Sequence, residues 1–192
     1  MQKLKQATKA QHDRLEKVVN LLNDTLSMQD YKHVLLKFYR FYSSIEPKLH
    51  SYDLDKFGYK TTERSRLRLL EKDLKNLNLK PVPSWEGLPL LENIGEVFGC
   101  LYVIEGSSLG GQVISRHLKE KLQLDINNGA SFFNIYGSET GKMWKEFGII
   151  IEEFAKSYQN DQQIIEGAIE TFQGFEECFK STALSFSYEN QQ

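Results

Sequence analysis

The sequence is poor in cysteine, and the little that it has forms no recognisable pattern. Only Cys100 and Cys178 occur among the 192 residues, and their spacing fits neither a disulfide framework nor a zinc site. No apolar run approaches the ~18 residues that a membrane span needs. The first residues, MQKLKQATKAQ, lack the apolar segment of a secretory signal. These absences predict a reduced, cytoplasmic protein that does not associate with a membrane.

An excess of charge of one sign is also lacking. The chain has 24 Lys and Arg against 26 Asp and Glu, a formal net charge of −2, so a nucleic-acid partner is not expected. Strand-type alternation is nearly absent, whereas apolar residues recur at intervals of three and four, the helical period. Because hydrophobic residues make up 40% of the chain and no linker interrupts it, we expect a single all-α domain over residues 1–192.

The helical periodicity divides the chain into six segments. We expect helices at about residues 2–24, 28–52, 61–78, 91–121, 129–158 and 161–186. Ser27 is a candidate N-cap of the second helix, and Pro47 predicts a kink inside that helix. Residues 78–89 carry three of the four prolines and predict a loop, and the charged residues of 71–80 predict a solvated helix end.

A single histidine, His12, lies inside a charged helix start, QATKAQHDRLE (residues 6–16). On a helical projection an apolar stripe lies to one side of His12, while Lys5, Lys9 and Glu16 lie to the other. Such a histidine is most often a partly buried side chain, and lysines on a helix flank are most often solvated. The functional alternative is a ligand that is charged at its edge and coordinated at its centre, with Glu16 orienting the imidazole.

Five glycines fall in the helical segment GEVFGCLYVIEGSSLGGQVISRHL (residues 95–118): Gly95, Gly99, Gly106, Gly110 and Gly111. Each glycine in a helix interior costs about 1 kcal/mol relative to alanine, so some other interaction should offset them. A face of small residues either lets another helix approach closely or lets a flat ligand lie against the backbone. The adjacent pair of glycines favours a ligand, and the segment invites a kink near residues 106–111.

A flat cofactor between the histidine helix and this glycine helix would be haem, with His12 on the iron. LKQATKAQHDRLE (4–16) and LYVIEGSSLGGQVI (101–114) resemble the proximal and distal helix motifs of the haem oxygenases, in particular the bacterial biliverdin-forming type. With weaker matches in the family's order, the resemblance covers about residues 3–180. It implies a single-domain, all-α bundle with haem between the first helix and a kinked, Gly-rich distal helix.

The resemblance implies roles for the residues around the iron. His12 would be the proximal ligand with Glu16 as its partner, and Gly106, Gly110 and Gly111 would supply the distal backbone over the porphyrin.

The resemblance also implies the residues farther from the iron. Lys5 and Lys9 match cations that meet the haem propionates, and Lys142 or Lys145 is a candidate for a third such contact. Leu109 lies within the distal motif and is expected to touch the haem.

On the distal side, Tyr42 matches a tyrosine of a hydrogen-bond network, and Phe172 matches a pocket aromatic. Ser107 stands where the animal enzymes carry an aspartate that anchors the catalytic water. Leu101 replaces a tyrosine that helps to bind a propionate in the animal enzymes, and Tyr102 is one residue away. These departures affect how the haem is oriented, and with it which meso carbon is cut.

As the resemblance implies, haem is both substrate and cofactor, and O₂ and electrons convert it to biliverdin, CO and ferrous iron. The electrons would come from an external donor, a ferredoxin or a reductase, and a bilin-binding photoreceptor is a candidate recipient of the product. We infer that the glycines leave room for O₂ but supply no acid. Water held by backbone groups, Ser107 or Tyr42 would therefore supply the proton.

Two other functions stay open at this point. A non-catalytic haem carrier or sensor on the same fold would bind haem through His12 without consuming it. A bundle enzyme of the thiaminase-like architecture would bind a small heterocycle and would not need a glycine-rich helix.

Overall fold

Six α-helices form the protein in the computed structural model, which describes residues 1–181. They are α1 (Gln2–Val19), α2 (Met28–His50), α3 (Leu67–Asn76), α4 (Ile94–Leu122), α5 (Thr140–Tyr158) and α6 (Asp161–Lys180). Short 3₁₀ turns lie between them at Asp55–Phe57, Thr61–Arg64, Phe132–Asn134 and Gly137–Glu139. No strand occurs among the described residues, so the expected all-α class is confirmed.

The start of α2 follows the predicted capping pattern. The Ser27 hydroxyl accepts a hydrogen bond from the Asp30 amide, and the Asp30 carboxylate accepts one from the Ser27 amide, which makes a capping box. Pro47 lies inside α2, which nevertheless runs as one helix from Met28 to His50. α4 is also a single helix, so the bend expected near residues 106–111 stays a prediction.

Three predicted helix ends were wrong by more than a few residues. α1 ends at Val19 because Asn20 adopts a left-handed conformation with φ 46°. α3 begins only at Leu67, after a separate 3₁₀ turn. α5 begins at Thr140, because two 3₁₀ turns, Phe132–Asn134 and Gly137–Glu139, precede it. The backbone also adopts a positive φ at Gly129 (130°) and Gly137 (51°). The predicted end of the last helix at about residue 186 lies outside the described residues.

The expectation of a solvated segment at residues 71–80 was wrong in part. Asp73 and Leu74 are fully buried, because α3 packs this face against α2 and against the turn at Phe132–Asn134.

The closest helix crossing joins α4 and α6 through glycines. A Cβ atom built on Gly99 would lie 2.2 Å from the carbonyl oxygen of Ile164, and one built on Gly167 would lie 2.2 Å from the carbonyl oxygen of Glu96. Both distances are far shorter than a van der Waals contact, so the two backbones touch with no side chain between them. α1 also packs along α6, which therefore lies between α1 and α4 as their shared support.

A cluster of aromatic rings packs between α2 and α6. Phe41 stacks on Phe175 with ring centroids 3.6 Å apart. Phe38 lies 4.9 Å from the ring of Phe179 and 5.0 Å from that of Phe132. The cluster therefore connects α2, α6 and the 3₁₀ turn that precedes α5.

Of the described helices, only α4 has the length and apolar composition to cross a membrane. Within its most apolar stretch 56% of the residues are buried inside the bundle. Packing against α5 and α6 therefore accounts for the apolar composition of this helix.

We predict that Gly167→Ala destabilises the ligand-free protein by about 1–3 kcal/mol, because its methyl group overlaps the backbone of α4. The matched control is Gly148→Ala on α5, where a built Cβ meets nothing within 4 Å. It should be neutral or stabilising by up to about 1 kcal/mol. Urea unfolding of both variants measures the difference, and equal stability of Gly167→Ala and wild type would contradict the close crossing.

Candidate active site

α1 and α4 run in the same direction along α6. The contacts that fix this direction are Lys3 with Asp161 (2.9 Å), Arg14 with Glu176 (3.1 Å), Gly95 with Gln163 (2.7 Å from a built Cβ) and Cys100 with Thr171. Along both α1 and α4, later residues meet later residues of α6. Residues of α1 and α4 at corresponding heights can therefore face each other across the bundle.

α4 contacts α1 near the start of that helix and, farther along, contacts the turn that follows α1. Near the start, the Thr8 hydroxyl lies beside that of Tyr102; burial raises the pKa of Tyr102, and Thr8 partly opposes this. Farther along, a ring nitrogen of His117 lies 3.1 Å from the carbonyl oxygen of Asn23. Among the described residues no hydrogen bond or ion pair connects residues 9–19 with residues 103–116. A Cβ built on Gly110 meets nothing within 4 Å, so the α4 segment is open there. We call the region where these two segments face each other the α1–α4 cleft; it runs roughly 20 Å along α4.

The α4 wall of the cleft has few large side chains. Tyr102 and His117 both face α1, and Gly106, Leu109, Gly110 and Val113 lie within about 80° of Tyr102 on the helical projection. These four residues therefore face the cleft, and the side chains of Leu109 and Val113 are 41% and 48% exposed. Exposed apolar groups beside bare backbone suit a flat, apolar ligand.

The α1 wall carries the histidine. His12, Leu15, Glu16 and Val19 lie within about 80° of Thr8 on the helical projection, so they face the cleft. The side chain of His12 is 55% exposed, and its Nδ1 atom lies 3.7 Å from Glu16 and 3.9 Å from Asp13. The ring also meets the edge of Phe172 at 6.0 Å between centroids. With the carboxylates on the Nδ1 side, Nε2 is the nitrogen available to a ligand.

The five glycines of α4 fall into two groups. Gly95 and Gly99 meet α6, and a Cβ on Gly111 would lie 2.6 Å from the carbonyl oxygen of Phe133. Close packing therefore explains these three, including Gly111, and the place over the porphyrin that the resemblance implies for Gly111 stays a prediction. A Cβ on Gly106 would make only an ordinary 3.7 Å contact with Trp144, and one on Gly110 would meet nothing within 4 Å.

Packing inside the described protein therefore gives no reason for glycine at Gly106 or Gly110. Both lie on the cleft side of α4, where a side chain would reduce the room for a ligand. Their glycines are explained if a flat group lies against the backbone there.

A separate small cavity of about 60 Å³ lies beside α4. Its lining residues are Phe38, Arg66, Ser107, Ser108, Gly111, Ile114, Phe132, Phe133 and Ile135. It has room for a few water molecules but not for a porphyrin, since pockets for larger ligands measure roughly 300–1,000 Å³. The cavity is therefore a place for water or another small molecule.

Tyr42 lies next to two residues that line this cavity, Arg66 and Ser107. Its hydroxyl is buried and has no hydrogen-bond partner among residues 1–181. Burial raises the pKa of Tyr42 to about 12, while the nearby Arg66 and Ser107, which both line the cavity, act to lower it. At neutral pH the phenol therefore keeps its proton. An unpartnered donor of this kind fits a site that receives a polar ligand.

A buried ionic network lies beneath the cavity. Glu105, which is fully buried, accepts hydrogen bonds from Tyr59 (2.9 Å), Arg64 (3.0 Å) and Tyr136 (3.0 Å), and it lies 3.7 Å from Arg66. Burial disfavours the charge of Arg66, but Glu105 and the surrounding tyrosines outweigh this and raise the pKa of the guanidinium. The arginine that lines the cavity is therefore permanently charged.

The backbone around Arg66 is fixed by an acid from α2. Glu46 accepts hydrogen bonds from the amides of Arg66 (2.6 Å) and Leu67 (3.0 Å) and from the Ser65 hydroxyl (2.8 Å). These bonds satisfy amides at the start of α3 that have no partner within that helix. The Arg66 side chain in turn donates to the Ile104 carbonyl of α4 at 2.7 Å.

The lysines expected at the haem edge are exposed. Lys9 pairs with Asp13 at 2.5 Å, which raises the pKa of Lys9, and Lys142 pairs with Glu139 at 3.6 Å. Lys5 lies one turn before Thr8 on the same side of α1, and Lys145 lies on the surface of α5. Their contacts with propionates stay predictions.

Comparison with known proteins places this arrangement in a family. The family model described as heme oxygenase matches residues 1–87 and 90–181. The chain belongs to the haem oxygenase family. It is accordingly an enzyme that degrades haem, and the family sets aside both the non-catalytic carrier and the thiaminase-like bundle.

Individual relatives of this haem oxygenase are bacterial. It is 29% identical over 153 residues to the heme oxygenase of Xanthomonas campestris pv. campestris, covering 80% of this chain and 90% of the relative. It is 26% identical over 185 residues to heme oxygenase PigA of Pseudomonas aeruginosa, covering 94% and 91%. The NO- and CO-bound heme oxygenase of Neisseria meningitidis has a similar structure, with TM-score 0.80, 25% identity and coverage of 99% and 96%.

Sequence patterns did not identify four charged residues at the site: Glu46, Arg66, Asp73 and Glu105. Each is buried and bonded to residues distant in the chain. Periodicity normally assigns charged side chains to the solvated face of a helix. The one available signal was the place of Glu105 inside an otherwise apolar segment, directly before Gly106.

We predict that Gly110→Ala makes the ligand-free haem oxygenase more stable by up to about 1 kcal/mol but weakens haem binding, because its methyl group enters the cleft. Gly110→Phe should block binding. Urea unfolding and haem titration measure the two effects, and Gly148→Ala is the control for a helix glycine away from the cleft. Wild-type haem affinity and turnover in Gly110→Phe would show that this face of α4 does not meet haem.

Proposed function

We propose that this haem oxygenase binds haem in the α1–α4 cleft and opens it at a meso carbon to biliverdin, CO and ferrous iron. The proposal is supported chiefly by the two walls of the cleft: the imidazole of His12 on α1 faces a part of α4 in which Gly106 and Gly110 have no close-packing neighbour. When bound, haem supplies the iron at which O₂ is reduced and the carbon that is oxidised. The protein's part is to bind, orient and supply protons.

On the proximal side, His12 is the proposed iron ligand through Nε2. Glu16, 3.7 Å from Nδ1, accepts the other ring proton directly or through water and so fixes the tautomer. Phe172, buried at the edge of the same ring, limits its rotation. Two neighbours of different chemistry, Glu16 and Phe172, thus limit the orientation of a side chain that is otherwise half exposed.

On the distal side, Gly106 and Gly110 leave space over the macrocycle but offer no acid or base. The proposed proton source is water in the small cavity, held by Tyr42, Ser107 and the charged Arg66. The Ser107 hydroxyl donates its proton to the Ile104 carbonyl at 2.7 Å, so its oxygen is left to accept one. Tyr42, protonated at neutral pH, is the neutral donor of this group.

The remaining assignments belong to the same proposal. Leu109 contacts the macrocycle. Lys5, Lys9 and Lys145 bind the propionates at the edge of the haem, where the charged groups of both stay hydrated. Electrons come from an external donor, a ferredoxin or a reductase, and O₂ is the oxidant. A bilin-binding photoreceptor is a candidate recipient of the product. A cytoplasmic location and one domain over residues 1–192 complete the proposal.

We predict that His12→Ala loses the absorption spectrum of histidine-ligated haem and loses turnover with ascorbate in air, because α1 contains no other histidine. Its apoprotein should unfold like wild type, since the imidazole is half exposed. Added imidazole should restore part of the spectrum. His50→Ala, at an exposed position of α2, is the matched control. An unchanged spectrum with wild-type turnover would refute the ligand assignment.

A further inference from the structure

A buried carboxylate outside the cleft holds the turn that forms one wall of the cavity. Asp73 of α3 is fully buried. One of its oxygens accepts hydrogen bonds from the amide (2.9 Å) and the hydroxyl (2.7 Å) of Ser131, and the other accepts from the amide of Phe132 (2.8 Å). A single side chain thus satisfies both amides at the start of this 3₁₀ turn.

The turn faces α4 across the cavity. Phe132 and Phe133 line the cavity, and the Phe133 carbonyl oxygen would lie 2.6 Å from a Cβ on Gly111. Phe38, which also lines it, packs against both rings at 5.0 and 5.6 Å. The backbone of the turn and that of α4 therefore lie in direct contact, and a movement of one changes the space beside Ser107.

α3 fixes the segment before the turn as well. Lys72 donates to the Ile126 carbonyl at 2.8 Å, and Asn76 donates to the Asn127 carbonyl at 3.1 Å. Both contacts are exposed, whereas those of Asp73 are buried and adjoin the cavity wall. Among the polar contacts of α3, those of Asp73 therefore control the position of Phe132 and Phe133 most directly.

We propose that Asp73 is a positioning residue for the regiochemistry of haem cleavage: through Ser131 and Phe132 it sets the wall of the distal cavity. This inference rests on the proposed function. The cavity measures only about 60 Å³ and is lined by Ser107, the residue next to the cleft-facing Gly106, so a small shift of its wall changes where water can lie beside the proposed distal face. Misplacement of reacting groups by about 1 Å can alter rates by roughly a hundredfold, and unequal effects at the meso carbons alter the product ratio.

Asp73→Asn tests the proposal with little change in size. The amide keeps one acceptor oxygen and turns an NH₂ group toward either the Ser131 or the Phe132 donors. Burial raises the pKa of Asp73, so the buried charge is itself unfavourable, and its removal offsets part of the lost hydrogen bonding. Glu71→Gln, at an exposed position of the same helix, removes the same charge and is the matched control.

Two measurements are expected to change in Asp73→Asn and not in Glu71→Gln. Amide exchange at residues 131–133 of the ligand-free protein should quicken about fivefold, the effect of losing one hydrogen bond. In turnover with ascorbate, the ratio of minor to major biliverdin isomer should change at least about twofold. Ser131→Ala, which removes only the hydroxyl donor, should show smaller changes of the same kind. It replaces Asp73→Asn as the test variant if Asp73→Asn does not fold.

The outcomes separate this inference from the proposed function. If wild type forms no biliverdin, the proposed function fails. The inference then fails with it, whatever the result of amide exchange at residues 131–133. If wild type forms biliverdin and the variant that folds gives the wild-type isomer ratio, Asp73 does not position the reaction and only this inference is overturned. A general loss of stability would lower yield without changing the isomer ratio.

Discussion

The backbone contact between α4 and α6 is the constraint on which the rest of the structure depends. Gly99 and Gly167 allow the two helices to touch main chain to main chain. Because α1 packs along the same α6, this crossing fixes how far α4 lies from α1 and therefore how wide the cleft is. A side chain at the crossing would move the glycine-rich wall relative to His12, even though the crossing itself meets no ligand.

Glycine has two different roles along α4. At Gly99 and Gly111 the missing side chain lets backbone from another element approach, and the packing that results stabilises the fold. At Gly106 and Gly110 no neighbour takes advantage of the missing side chain, so the ligand-free protein bears a cost of about 1 kcal/mol at each position. Ligand binding offsets such a cost, because a ligand that binds only the folded state stabilises it. The helix is therefore less stable than it could be where haem is proposed to lie.

Three buried carboxylates, which come from separate helices, hold the walls of the small cavity beside α4. Glu46 on α2 fixes the backbone at Arg66, Glu105 on α4 holds its guanidinium, and Asp73 on α3 holds the opposite wall. These carboxylates come from three different helices, so the cavity forms only when the bundle is assembled. Hydrogen bonding to several donors keeps each buried carboxylate from being an unsatisfied charge.

Much of this arrangement could be predicted from local patterns, and the rest could not. Helical periodicity gave the all-α class and placed His12 at the edge of an apolar stripe, because those features repeat within one helix. The cost of glycine in a helix singled out α4, but only tertiary neighbours separate Gly99 and Gly111 from Gly106 and Gly110. Asp73 bonds to residues 58 and 59 positions away, and Arg66 to one 38 away. No periodicity within a helix carries such information, so Asp73 was expected on a solvated helix end and Arg66 was not singled out.

The central claim is that haem lies between residues 9–19 of α1 and residues 103–116 of α4. Hydrogen exchange of the ligand-free and haem-loaded protein, followed by peptide mass spectrometry, tests it most directly. We expect haem to slow amide exchange chiefly in peptides from these two segments, with little change in α3 or in the solvent-facing side of α5. Protection concentrated elsewhere, with both segments exchanging as in the ligand-free protein, would contradict it.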